Sequence, residues 1–225
     1  MCMKVSKLMK GGLNHFKTIT THKIVVMKGC FAVGLYKQGL LHDMSKYTLT
    51  EFIPGMVYYQ GTRSPNNAER EDKGYSSAWL HHKGRNKHHY EYWIDYISKA
   101  EPGKPIIVGC KMPVKYVVEM FVDRVAACKV YNGKDFKRID PWNYYAKGRT
   151  AELLHEDTRK LLEKLLKMYA RCGEEYTNAY IRKKILHNAS RACLKDKMNC
   201  KCDCNCSCKN QNKKGQKQAE GASTC

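Results

Sequence analysis

The residues best suited to chemistry in this sequence are an adjacent histidine and aspartate, His42 and Asp43. Two leucines precede the pair, and Ser45 and Lys46 follow it closely. We expect this segment to form one buried helical turn that points both side chains at the same place. An imidazole nitrogen beside a carboxylate oxygen suits Zn, Fe, Mn or Co, and the aspartate can bridge two ions while the histidine binds one. The pair therefore predicts metal-dependent hydrolysis or oxidation, although an isolated pair of this kind is more often a structural contact.

More histidines lie on both sides of this pair. His15 and His22 precede it and are seven residues apart, which places them on one face of a helix. Four further histidines fall within nine residues, at His81, His82, His88 and His89. So many metal-binding side chains argue against an isolated structural pair. The alternative interpretation of the later cluster is a basic, solvated patch.

Two segments of the chain resemble motifs of the HD superfamily of metal-dependent phosphohydrolases. That superfamily has a histidine on one helix, a His-Asp pair, and a distant aspartate on a later helix. Leu40-Leu41-His42-Asp43-Met44-Ser45-Lys46 is similar to its central motif, with serine where many members have glycine. Phe121-Val122-Asp123-Arg124-Val125 is similar to its final motif. The region from His15 to about Tyr96 also resembles an uncharacterised bacterial family, a domain of unknown function.

The superfamily resemblance implies a set of metal ligands. The first ligand is either His22 or His15, and members with two metals insert extra histidines between the His-Asp pair and the last aspartate. Adjacent helical residues point about 100° apart, so we expect one histidine of each later pair to bind metal. The ligand set for one or two divalent transition-metal ions (Fe, Mn, Co or Zn) is then His22, His42, Asp43, His82, His89 and Asp123.

Hydrolysis of a phosphate ester or anhydride, with nucleotides among the candidates, is the activity that this resemblance implies. The metals would activate a water and polarise the phosphoryl group, while cations stabilise the developing charge. Asp43 and Lys46 are the predicted catalytic residues, because Lys46 returns near the same helical face three residues later. The predicted contacts to a small phosphorylated or anionic substrate are His15, Arg63, His81, Arg85 and His88.

Two other classes of function remain open from the sequence. Di-iron oxygenases of the same superfamily use the same ligand architecture to oxidise small molecules. A protein without catalytic activity is the other class, since the formal net charge is +20, with 41 Lys and Arg against 21 Asp and Glu. Such a charge attracts polyanions, including nucleic acid.

The elements that must hold these side chains are predicted to be helices. Apolar residues recur at helical spacing from Leu13 to Leu35, which indicates a first helix carrying the two early histidines. Thr48 and Glu51 fit a capping box at the start of a short helix, so Glu51 has a structural role on this interpretation. The polar segment Gly61–Gly74 predicts a long loop, of the length at which functional lids occur.

Helices also account for the rest of the predicted domain. Ser76 or Ser77 caps a short helix, and Pro113 is placed to begin one that carries Glu119 and Asp123. Thr150 is the predicted N-cap of a long amphipathic helix.

We expect Gly173 to stop that long helix, and a last helix to follow from Glu174 to Leu186. No segment has the alternating pattern of a sheet, so the predicted fold is all-α, an HD-like helical bundle.

Composition divides the chain into a domain at 1–190 and a low-complexity tail rich in Cys and Lys at 191–225, which is predicted to be disordered. Four other cysteines, Cys30, Cys110, Cys128 and Cys172, are expected in the core. No apolar run reaches the roughly 18 to 20 residues of a membrane span. Because the N-terminus also lacks the apolar segment of a secretion signal, we expect a cytoplasmic protein with no membrane partner.

Overall fold

The computed structural model describes residues 2–98, 103 and 105–187, with side chains from residue 8 onward. The tail predicted at 191–225 lies outside the described residues. The described helices belong to one compact unit, which spans Met1–Leu186. In the described residues the α-helices are α1 Cys2–Val33, α2 Tyr36–Leu41, α3 Leu49–Val57, α4 Pro65–Lys73, α5 Ser77–Arg85, α6 Val114–Asn132, α7 Asp140–Lys147, α8 Thr150–Leu153 and α9 Glu156–Tyr180.

Shorter elements connect these helices. In the part of the chain that the structure describes, three turns are 3₁₀-helical, at Met44–Tyr47, Tyr90–Trp93 and Gly133–Asp135, and a π-helical turn at Ile181–Leu186 follows α9. The all-α fold class predicted from the sequence is confirmed. No helix in the described part of the chain is long and apolar enough to cross a membrane.

Among the described residues, one pair of short strands departs from the prediction that the chain has no sheet. Strand β1 (Ile94–Tyr96) pairs with β2 (Ile107–Gly109) in antiparallel orientation. Each strand has three residues, too few for an alternating pattern to be read. Gly109 is required here because a Cβ atom would collide with the backbone of Leu153.

The hydrophobic core lies where α1, α6 and α9 pack together. From α1, Val26 and Cys30 are fully buried, and from α6, Phe121 is 1% exposed. Gly29 lets the two helices approach closely, because an added Cβ would lie 2.6 Å from Cγ1 of Val122. This close packing holds α1 and α6 side by side, and both helices carry predicted metal ligands.

The expectation that four scattered cysteines are core residues is correct for Cys30 only. Cys110 and Cys128 are partly exposed, and Cys172 is exposed. Cys172 comes directly before Gly173 in α9.

The predicted loop at Gly61–Gly74 is wrong in its larger part, because it contains helix α4. The helix has Pro65 at its first turn and ends at Gly74, whose φ is 79°. It was missed because it has almost no apolar face, and its buried residues are Ala68 and Glu69. The Glu69 carboxylate accepts hydrogen bonds from two serines, which replaces hydrophobic packing at this position.

Predicted helix ends near α9 also differ from the structure. Thr150 begins the short α8, and the N-cap of α9 is His155, whose side chain accepts a hydrogen bond from Asp157 N. Gly173 has non-helical backbone angles (φ 81°, ψ −177°), as a helix stop requires. The chain nevertheless resumes its helix after this kink, and Thr177 donates a hydrogen bond to the Gly173 carbonyl.

Candidate metal centre

The His42-Asp43 pair lies in a tight turn and not in the helical turn predicted for it. Helix α2 ends at Leu41, and Asp43 adopts a left-handed conformation with φ 52° and ψ 26°. This conformation costs about 1–2 kcal/mol in most residues and is tolerated best by glycine, asparagine and aspartate. Lys23 of α1 stabilises the turn by donating hydrogen bonds of 2.9 Å to the carbonyls of Leu40 and His42.

Two groups of potential metal ligands meet at Asp43. In each group the ligand atoms all lie within 4.8 Å of one another. We call the group formed by His22, His42, Asp43 and Asp123 the first group, and the group formed by Asp43, His82, His88 and His89 the second group.

The two carboxylate oxygens of Asp43 face different groups. Oδ2 lies 3.3 Å from Nε2 of His42 and 3.9 Å from Nε2 of His22. Oδ1 lies 3.2 Å from Nε2 of His82 and 3.4 Å from Nε2 of His88. This is the arrangement of a carboxylate that can bridge two cations.

The first group is supplied by long helices of the core. Asp123 on α6 places Oδ1 2.9 Å from Nε2 of His22 on α1 and 3.6 Å from Nε2 of His42. Both histidines of this group, His22 and His42, are buried. Of the two early histidines between which the sequence could not choose, His22 is therefore the one at the centre.

The second group contains both histidines of the pair His88 and His89. Nε2 of His82 lies 2.9 Å from Nε2 of His89, and the His88 and His89 rings are 4.2 Å apart. Helix α5 has ended at Arg85, so the 100° separation of adjacent helical side chains does not apply to His88 and His89. The prediction of His88 as a substrate contact assumed helical geometry for this pair, and His88 lies among the potential ligands of the second group.

On α5 itself the helical argument holds. His82 is 2% exposed and points into the centre, whereas His81 is rotated away from it. His81 places Nδ1 2.6 Å from Glu51 Oε1, and His82 places Nδ1 2.7 Å from Glu51 Oε2. Glu51 thus holds both histidines of this pair.

Two buried glutamates orient the ligand histidines. Glu119 on α6 has Oε1 3.1 Å from Nδ1 of His42 and 3.2 Å from Nδ1 of His88. Glu51 plays the same part for His82. A histidine that donates its Nδ1 proton to a carboxylate presents a free Nε2 lone pair, which is how protein metal ligands are usually oriented.

Neither glutamate was identified as functional from the sequence. The capping-box role predicted for Glu51 is wrong, because Thr48 makes no side-chain cap hydrogen bond and Glu51 is buried beside the histidines. For Glu119 a usable signal exists: it precedes Asp123 by four residues, which puts both carboxylates on one face of α6.

Several buried atoms of the centre have no hydrogen-bond partner of acceptable geometry among the described residues. They are Nε2 of His22, His42 and His88, and Oδ1 of Asp43. Nitrogen and oxygen atoms lie within 2.9–3.9 Å of them, so atoms are close but not aligned for hydrogen bonding. Buried polar atoms are nearly always paired, and cations bound to the two groups would pair all four. The residues present therefore fit a metal ion.

The two aspartates of the centre are held in their ionised form. Burial alone would raise the pKa of Asp43, but His42, Lys46 and His82 hold it well below its ordinary value. Burial would likewise raise the pKa of Asp123, and contacts with His22 and His42 lower it strongly instead. Both carboxylates are therefore ionised at neutral pH, as metal ligands must be.

Lys46 lies at the edge of the centre. Its ammonium group is 2.7 Å from Oδ2 of Asp43, and the 3₁₀ turn brings it back over the aspartate as the spacing predicted. Burial would lower the pKa of Lys46, but the charges of Asp43 and Asp123 raise it above the ordinary value. Lys46 is therefore a permanent cation beside the ligands.

Three of the predicted substrate contacts lie outside the two ligand groups. His15 packs with its ring centroid 5.4 Å from that of Phe52, and directly against Gly55, where a Cβ would collide with the imidazole. Burial, with a smaller effect of the Lys46 charge, lowers the pKa of His15 to about 4. His81 is held by Glu51, and Arg85 is exposed at the end of α5.

A cavity of about 550 Å³ opens beside the centre. His22, His89 and Asp123 form part of its wall, so the cavity reaches residues of both ligand groups. Arg63 lines it as predicted for a substrate contact, but its guanidinium group already forms paired hydrogen bonds with Glu71. The volume lies within the range of small-molecule sites.

Comparison with known protein families gives a match. A family described as a family of unknown function (DUF5662) matches residues 12–168. This range contains every residue of the two ligand groups. No curated protein and no solved structure matches the chain. Because this match covers more than half of the chain, the chain belongs to the DUF5662 family.

Proposed function

We propose that this protein is a metal-dependent hydrolase of a phosphate ester or anhydride that uses two divalent transition-metal ions. The observation that carries the proposal is Asp43, whose two carboxylate oxygens face separate groups of buried ligands. Hydrolases that act on phosphoryl groups commonly use a pair of ions joined by such a carboxylate. The residues of the first and second groups would hold the two ions, and this donor set suits Fe, Mn, Co or Zn.

The bound ions would polarise the phosphoryl group and make a water molecule more nucleophilic. The chain's own residues then have separable roles. Asp43 stays ionised and serves as a ligand, since its lowered pKa makes it a poor proton donor. Lys46 stays protonated, so it acts through its charge and not as a base.

The reaction itself is a displacement at phosphorus. The oxygen of a water molecule bonds to phosphorus and gives up one proton, the bond from phosphorus to the leaving oxygen breaks, and the leaving oxygen takes up one proton, so that protons balance. Lys46 lines the cavity and is placed to stabilise the negative charge that develops on the phosphoryl oxygens. Glu119 and Glu51 keep the ligand imidazoles oriented throughout.

The same donor set supports one other proposal, oxidation of a small molecule by two iron ions. Histidine and carboxylate ligands with a cavity at hand suit iron as well as hydrolytic metals. Hydrolysis ranks first because the cavity wall carries several cations, which suit a phosphorylated substrate: Lys46, Arg63, Arg70 and Arg124.

The test begins with elemental analysis of the full chain purified without added metal. The protein is then stripped with a chelator, reloaded with Mn, Co, Zn or Fe, and assayed for phosphate release from a panel of phosphate esters and anhydrides. We expect about two equivalents of metal and turnover that disappears with the chelator and returns with metal.

A variant tests the role of the Lys46 charge in catalysis separately from metal binding. Lys46→Gln should keep the metal and lose about 10²-fold in kcat, the size of effect seen when one charge-stabilising donor is removed. Lys111→Gln, which removes an exposed lysine paired with Asp157, is the matched control and should be unchanged.

Other outcomes contradict the proposal. Two equivalents of iron with oxygen consumption and no phosphate release would favour the oxidative alternative. A protein that binds no metal but binds nucleic acid with steep salt dependence would make the polyanion-binding class the better explanation.

A further inference from the structure

Three arginines of the described residues line the cavity beside the metal centre, and they differ in the hydrogen-bond donors that an occupant could meet. They are Arg63, Arg70 and Arg124. The guanidinium group of Arg63 already donates from all three nitrogens, to Gln60 and Glu71. Arg124 has a buried Nε, so it cannot offer the edge that contains this nitrogen. Arg70 has neither restriction.

One edge of the Arg70 guanidinium group is open to solvent. Nη1 donates a hydrogen bond of 2.9 Å to Oδ1 of Asn67. Nε and Nη2 make no hydrogen bond with the described residues, and neither is among their buried unpaired atoms, so both are accessible to solvent. These two nitrogens form the fork that binds a carboxylate or a phosphate through two parallel hydrogen bonds.

The positive charge of Arg70 has no ion pair among the described residues. The acidic side chains of α4 accept hydrogen bonds from other groups: Glu69 from Ser76 and Ser77, Glu71 from Arg63, and Asp72 from Tyr58. The carboxylates on the cavity wall, Glu91 and Asp123, belong to other segments and do not pair with Arg70. An anion at the open edge would therefore meet a cation that no carboxylate neutralises by direct contact.

Trp79 holds Arg70 close to the second group of ligands. The guanidinium carbon lies over the Trp79 ring, 5.4 Å from its centroid, and such stacking fixes the guanidinium plane. The same ring lies 4.7 Å from the ring of His89. The guanidinium carbon is thus no farther from the His89 ring than the sum of these distances, about 10 Å. Because both residues line the cavity, one small molecule can reach both.

We propose that Arg70 forms an anion subsite, which binds a second negatively charged group, a carboxylate or a phosphate, of a substrate whose phosphoryl group lies at the metal centre. This inference rests on the proposed hydrolase function, and it names the substrate class as phosphate esters with a second anionic group. The open guanidinium edge donates two hydrogen bonds to that group. A neutral hydroxyl group in the same place would bind more weakly, since its hydrogen bonds have charge on one side only.

The test uses three six-carbon phosphate esters that differ in one end group. Sorbitol 6-phosphate ends in a hydroxymethyl group, 6-phosphogluconate in a carboxylate, and sorbitol 1,6-bisphosphate in a second phosphate. On the metal-loaded full chain, we expect a higher kcat/KM for the two esters with a second anion. Arg70→Gln should lower these two values about 10- to 100-fold, the effect of losing hydrogen bonds between charged groups. The value for sorbitol 6-phosphate should stay within about twofold.

Two further variants are controls. Arg70→Lys keeps the charge but loses the two-nitrogen fork, so it should recover only part of the preference for a second anion. Arg171→Gln removes an exposed arginine of α9 that does not line the cavity, and it should change none of the three values. Equal losses for all three esters in Arg70→Gln, or no preference for a second anion in the native protein, would overturn the subsite.

Calorimetry of the metal-loaded protein separates this inference from the proposed hydrolysis. The native protein should bind both esters with a second anion more tightly than sorbitol 6-phosphate, and Arg70→Gln should bind all three with similar affinity. If no ester is hydrolysed but this difference is present, hydrolysis fails and the subsite stands. If esters are hydrolysed without this difference, the subsite fails and hydrolysis stands. The tighter of the two anionic esters identifies the group as a carboxylate or a phosphate, and either order supports the subsite.

Discussion

The two ligand groups that share Asp43 are built in different ways. In the first group, His22 and Asp123 come from α1 and α6, which are long helices packed against each other in the hydrophobic core. In the second group, His82 lies on the nine-residue helix α5, and the two later histidines lie in an irregular segment after it. Hydrophobic burial therefore positions one half of the centre, and hydrogen bonds position most of the other half.

This difference predicts that the two halves depend unequally on metal. Side chains on core helices keep their positions because moving them would disrupt packing. Side chains on short elements are held by fewer contacts and open more readily. The second group should therefore gain more order from a bound ion than the first.

The largest expected effect comes from Asp43, the residue common to both groups. Asparagine tolerates the left-handed backbone of this position, so Asp43→Asn removes charge with little backbone strain. We expect loss of both metal equivalents and a loss of activity of at least about 10³-fold. Elemental analysis and the phosphate-release assay measure these losses.

Asp95→Asn is a suitable control for Asp43→Asn, since Asp95 is exposed on β1. Retention of one full metal equivalent in Asp43→Asn would mean that the aspartate serves only one ion.

Substitutions of residues that belong to one group only should have the next largest effect on metal binding. Asp123→Ala should remove about one metal equivalent, and His89→Ala should remove the other, because each residue belongs to one group only. Equilibrium dialysis with each variant measures the remaining sites. If either variant loses both equivalents, the two groups form one cooperative site and the contrast between them disappears.

Smaller effects are expected from the two orienting glutamates. Glu119 contacts a histidine of each group, so Glu119→Gln should weaken both metal sites by about 10- to 100-fold. Glu51 contacts His82 but no histidine of the first group, so Glu51→Gln should weaken only one site. Metal titrations of the two variants can be compared directly. Equal effects at both sites in Glu51→Gln would contradict the separation of the groups.

The smallest effect concerns the stripped protein without any substitution. On chelation, hydrogen exchange should increase mainly in α5 and the segment up to Trp93, while the middle of α1 and α6 stays protected. Mass-spectrometric exchange with and without metal tests this. Uniform loss of protection would show that the metal supports the core helices as well.

Local patterns in the sequence predict a large part of this organisation. The apolar spacing of α1 and α6 identifies both core helices, since helical periodicity depends only on nearby residues. Histidine and aspartate are also the residue types that metals require, so the pair at His42 stands out by chemistry alone. Polar helices such as α4 escape this reasoning because they lack an apolar face.

Tertiary structure decided which histidines meet. His15 and His22 share one helix and similar local signals, but His15 packs against α3 while His22 lies opposite Asp123. The roles of Glu51 and Glu119 likewise depend on partners that are distant in sequence. Composition and spacing thus determined the all-α class and predicted metal chemistry. The packing of helices far apart in the chain decided the membership of the centre, because it alone fixes where each side chain points.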